Sequence, residues 1–167
     1  MLFFAVLGLA TALAALASRF GAPFLGTWPA RMRAGMASGL LLFGADHLAA
    51  PARYLAMLPE AVPFPGFVVA FTGLCEIAGA FGLLVPRFRK PAGAMLALFF
   101  VCVFPANIRN ALTGGAGVEG LSGAPAWYFH LRLLFQPLAV WWALRAAEVV
   151  AWPAAARRRG GVAPEEA

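Results

Sequence analysis

Glu76 sits in the run GFVVAFTGLCEIAGAFGLLVP, residues 66–86, which is otherwise apolar enough to cross a bilayer. A carboxyl group at membrane depth is expensive and persists where it has a partner or a function. The candidate company is Asp46 and His47 in GADHLAAP, Asn107 in VFPANIRN, and Arg132 with Gln136 in LRLLFQP. Glu76 and His47 are the types that exchange protons, while the guanidinium and the two amides donate hydrogen bonds to a ligand oxygen. Two prolines stand among them. Pro105 and Pro137 each lack an amide hydrogen and release the carbonyl four residues back, at Val101 and Leu133, which in lipid must find another donor. Two readings stay open: a hydrogen-bonded plug that orders the helices, or a ligand-binding or chemical site.

Other chemistries find little support. Cys75 and Cys102 each fall about ten residues from a span end, with no CxxC pair at an aqueous surface, and are expected to be buried as small hydrophobes. His47 and His130 lack a spaced carboxylate cluster, so no metal site is expected. There is no phosphate-cradling glycine loop and no nucleophile elbow. Residues that carry redox cofactors are not in a usable arrangement, which disfavours catalysis by this chain alone.

The elements that must position these groups follow from composition. Of 167 residues, 62% are hydrophobic and 12% charged, and the mean hydropathy is +0.80, the profile of an all-α membrane protein rather than a soluble domain. A span needs about 20 apolar residues. Five segments fit, at 2–18, 33–50, 66–85, 92–111 and 127–150, within a single transmembrane domain over 1–152 and a polar tail at 153–167. The first segment ends in ALAS, like a signal peptide, but has no positive flank before it and reads as a helix.

Basic residues follow the first, third and fifth segments: Arg19, Arg31 and Arg33, then Arg87, Arg89 and Lys90, then Arg145 and Arg157 to Arg159. Lys and Arg favour the cytoplasmic side of short loops, so the N-terminus is expected outside and the C-terminus inside. The net charge of +6 then reflects topology and contact with anionic lipid, and no nucleic acid is called for.

Helical rotation places Thr72, Gly73, Gly79, Ala80 and Leu83 on the face of Glu76, with Phe67, Phe71, Leu74, Phe81 and Val85 opposite. Small residues belong at helix contacts, so Glu76 is expected to point inward. Arg132 and Gln136 share a face, and His130 points away from it. At comparable depth to Glu76, they are expected to pair with it. The linker PARYLAMLPEAVPFP is expected to form a short amphipathic turn between Pro51 and Pro59, on the outer interface.

With its GADH and PARYLAMLP segments, Gly73 and Glu76 in TGLCEIAGAFGLL, Pro105 to Asn107 in FPAN, and the closing Arg132 and Gln136, the chain over about 33–145 resembles the DoxX-like family of small membrane proteins. That resemblance implies a four-helix transmembrane bundle, here with one extra N-terminal helix. It also implies a link to membrane redox complexes in the bacterial inner membrane, one member being a subunit of a thiosulfate:quinone oxidoreductase. The expectation is an accessory subunit with a quinone or small polar ligand in an outward-half cavity bounded by Asp46, His47, Glu76, Asn107, Arg132 and Gln136, beside a redox partner protein. An assembly or stabilising factor without catalysis, and a proton or small-solute pathway, are the alternatives.

Overall fold

The computed structural model describes residues 2–115 and 124–151. The expected tail at 153–167 and most of the loop after residue 115 lie outside the described residues. The described part is helical throughout, with no strand: α1 Leu2–Arg19, α2 Trp28–Ala49, α3 Pro51–Leu55, α4 Pro65–Leu84, α5 Arg89–Cys102, α6 Phe104–Leu112 and α7 Ala126–Ala146.

Local chemistry explains where these boundaries depart from hydropathy. α2 begins five residues before the expected 33 because Thr27 accepts a hydrogen bond from the Ala30 amide and Pro29 opens the first turn. Arg33 is therefore not a flanking charge. It is buried within the helix and donates to the Ala146 carbonyl at 2.9 Å, meeting the open end of α7. α7 stops at Ala146, short of the expected 150, and Glu148 just beyond has a left-handed φ of 60°. The expected fourth span is two helices, broken at Val103, two residues before Pro105. The second proline behaves differently: α7 runs unbroken through Pro137.

α2 is the hub, packing against α1, α4 and α7, while α5 packs against α4 and α7. Glycine makes the closest approach. A Cβ added at Gly44 would lie 2.8 Å from the Gly73 carbonyl, and one at Gly73 would lie 2.8 Å from the Gly44 carbonyl. The two backbones touch, which places the C-terminal part of α2 against the middle of α4. Below that contact, Met36, Leu40, Leu83, Leu96, Phe100 and Ala143 form the apolar core.

Phe67, Phe71, Leu74, Phe81 and Val85 are exposed on the outside of α4, and Gly73, Glu76, Gly79, Ala80 and Leu83 are buried. Three helical stretches, Leu2–Arg19, Pro65–Leu84 and Pro86–Leu112, are long and apolar enough to cross a membrane. The outer face of α4 is thus apolar while its one carboxyl is turned into the bundle.

Candidate functional site

α2 and α4 supply the first pair of functional groups. His47 lies one turn along α2 from Gly44, and Glu76 one turn along α4 from Gly73, so the glycine contact sets their separation. His47 Nδ1 is 3.0 Å from Glu76 Oε2 and 2.8 Å from the Phe43 carbonyl. One ring nitrogen carries at most one hydrogen. With that hydrogen given to Phe43, Glu76 Oε2 is left buried without a hydrogen bond, on a residue only 6% exposed.

Asp46, the neighbour of His47, turns toward α3. Its Oδ2 accepts from Arg53 at 2.7 Å and from the Tyr54 hydroxyl at 2.6 Å. The Tyr54 ring stacks on His47, with centroids 3.5 Å apart. Burial first, and then the bond to Asp46, hold the Tyr54 hydroxyl well above its ordinary pKa.

The other polar groups form a separate chain. Arg132 donates to Asn107 Oδ1 at 3.0 Å, Asn107 donates to Gln136 Oε1 at 3.3 Å, and Gln136 donates to the Phe100 carbonyl at 2.5 Å. The break at Val103 frees the Phe100 carbonyl, one residue before the Val101 position that counting back from Pro105 suggests. The expected pairing of Glu76 with Arg132 and Gln136 is corrected here. Gln136 spends both ends of its amide on α5 and α6, and His47 takes the place beside Glu76.

Asp46, His47, Glu76, Asn107, Arg132 and Gln136 all border one cavity of about 790 Å³. Its remaining wall is largely apolar, including Phe3 and Phe4 of α1, Phe43 of α2 and Phe99 with Phe100 of α5. Phe3 packs edge-on against both Phe43 and Phe100. The volume lies in the range of small-molecule sites, and the mixture of an apolar wall with a few convergent polar groups is what such sites present.

Sequence reasoning missed Arg53 and Tyr54 as groups of the cavity. The short turn expected after Pro51 forms as α3, and Tyr54, Met57 and Leu58 also line the cavity. The signal available was the spacing of Asp46 from Arg53 and Tyr54 across the Pro51 turn. Cys102 is exposed rather than buried, and Cys75 is half-buried. His130 is exposed and does not border the cavity. Among the described residues no group of His, Cys, Asp and Glu is arranged to hold a metal.

Residues 36–147 match a family model described as Domain of unknown function (DUF8561). The chain belongs to the DUF8561 family. All six polar residues fall inside the DUF8561 segment, whereas α1, which contributes Phe3 and Phe4 to the wall, lies before it. No curated protein and no solved structure matches the chain.

Proposed function

We propose that this chain is a five-span protein of the bacterial plasma membrane, with its N-terminus outside and its C-terminus cytoplasmic. In this reading it holds a quinone, or a ligand with a similarly small polar head, as an accessory subunit of a membrane redox complex. The observation that carries the proposal is the cavity: six polar side chains from four helices border an open volume instead of filling it. A quinone's carbonyls need donors, which Arg132 and Asn107 supply, and its apolar body needs a wall such as Phe3, Phe43 and Phe100 provide. The resemblance to DoxX-like proteins points the same way.

The five-span count is supported by α2 and α7, of 22 and 21 residues, which at about 1.5 Å per residue match a hydrocarbon layer of about 30 Å. Their mean hydropathy is lowered by residues such as Arg33, His47 and Gln136, which are buried in the bundle, while Leu42 and Leu134 are exposed outside it. Orientation is tested by an impermeant thiol reagent on intact cells, with Cys75 and Cys102 replaced by alanine. Glu60→Cys should label and Arg87→Cys should not; equal labelling defeats the topology.

The functional test is thermal stability in mild detergent with soluble quinone analogues. Binding raises Tm in the parent, and folded Arg132→Ala or Glu76→Gln variants lose that response. The assembly-factor alternative draws on the Arg132, Asn107 and Gln136 chain, which ties α6 and α7 to α5 whether or not anything is bound. It gains if no quinone type shifts the parent.

A further inference from the structure

Charge accounting around the cavity leaves two groups unmatched. Asp46 is neutralised by Arg53 and also holds Tyr54. Arg132, by contrast, has a neutral amide oxygen as its bonded partner and no ion pair with a carboxylate among the described residues. Glu76 stands against His47, which balances it only when the ring is protonated. A guanidinium waiting for an anion and a carboxylate waiting for an imidazolium therefore border the same volume.

A single event satisfies both. We infer that the cavity takes an amphipathic molecule with a weakly acidic hydroxyl, of the phenol or hydroquinone class, whose oxygen rests against Arg132 as its proton passes to the His47 and Glu76 pair. This deepens the ligand-holding reading above and rests on it. The O–H bond of the ligand breaks and its electron pair stays on oxygen, beside Arg132. With the Nδ1 hydrogen assigned to the Phe43 carbonyl, the nearer of its two acceptors, the proton forms a new N–H bond at His47 Nε2. Nothing is oxidised, and the ligand and pair together keep their charge.

The groups facing His47 agree with this. On its own helix Asp46 is occupied by Arg53 and Tyr54, from α3 the Tyr54 ring lies flat on the imidazole, and from α4 comes Glu76. From α1 and α5 the cavity wall includes the rings of Phe3 and Phe100. An imidazolium formed there meets a carboxylate and an aromatic face, both favourable to a cation. The largely apolar wall lowers the local dielectric and so strengthens each interaction.

The probe is a para-nitrophenol carrying an alkyl tail, compared with its methyl ether, on the full chain in mild detergent. Phenolate absorbance reports ionisation directly. On binding, the phenol's midpoint should fall by about 1 to 3 pH units below its value in empty micelles, as a fixed opposite charge at contact produces. The phenol should also bind about tenfold or more tighter than the ether. Arg132→Gln should return the midpoint toward the micelle value, and Arg132→Lys, which keeps the charge, should retain part of the drop. Equal binding of phenol and ether by the parent, with an unmoved midpoint, overturns the acidic-hydroxyl inference and leaves a ligand-holding cavity standing. If the parent binds neither probe, the acidic-hydroxyl inference is overturned, and the ligand-holding reading falls with it only if no quinone analogue binds either.

Discussion

His47 Nδ1 and Glu76 Oε2 lie 3.0 Å apart on two helices whose backbones meet one turn away, at Gly44 and Gly73. The pair is consequently a product of helix packing as much as of charge. Each side chain is about nine-tenths buried, so removing one leaves the other buried without that partner. His47→Gln and Glu76→Gln should each lower stability in detergent, and the double variant should depart from additivity by about 0.5 to 3 kcal/mol. Thermal or denaturant unfolding of the four proteins measures it. Strict additivity would mean that the two groups do not interact.

The glycine contact makes its own prediction. A methyl group at Gly44 or Gly73 meets a backbone carbonyl at 2.8 Å, and backbone cannot swing aside as a flexible side chain does. Gly44→Ala and Gly73→Ala should each cost about 1 to 3 kcal/mol by overpacking. Gly66→Ala, with nothing within 4 Å of the added atom, is the control and should leave Tm close to the parent's.

Position on a helix face was legible in sequence; the choice of partner was not. The alternation of Gly73, Glu76, Gly79 and Ala80 with Phe67, Phe71, Leu74 and Phe81 told which side of α4 is buried, because in lipid small residues and aromatics separate cleanly. All six polar residues reached one cavity by the same reasoning about depth. Depth alone could not say that Gln136 spends its amide on Phe100 and Asn107, because that depends on where the α5 to α6 break falls. Nor could it say that α3 folds inward, since a five-residue helix between prolines gives no periodicity to read. The burial of Arg33 was hidden because a basic residue near a span end ordinarily marks the membrane surface, and only the position of the α7 terminus shows what it binds.

The roof of the cavity separates two kinds of bond to Asp46. The Tyr54 hydroxyl is a short bond beside a stacked ring, whereas Arg53 and Asp46 are 38% and 30% exposed and therefore screened. Tyr54→Phe should cost about 0.5 to 1.5 kcal/mol, and Arg53→Gln no more than about 1 kcal/mol. The Tyr54 pKa is raised in the fold, so the unfolded chain loses its proton first as pH rises. The parent's stability should accordingly fall above about pH 10, where unfolded tyrosine ionises, and Tyr54→Phe should show a shallower fall. Unfolding midpoints measured on both sides of that pH decide it, and parallel curves would contradict the assignment.

The central claim, that the volume beside Glu76 holds a ligand, is tested most directly by blocking that volume. Native mass spectrometry of the full chain with a tailed benzoquinone counts bound molecules, and Ala106→Phe places a ring in the cavity wall without removing any polar group. The parent should carry one quinone per chain, and Ala106→Phe, folded by its unfolding curve, should lose at least about tenfold in affinity, the equivalent of about 1.4 kcal/mol. No adduct with the parent for any quinone type, or equal binding by parent and Ala106→Phe, would contradict the account.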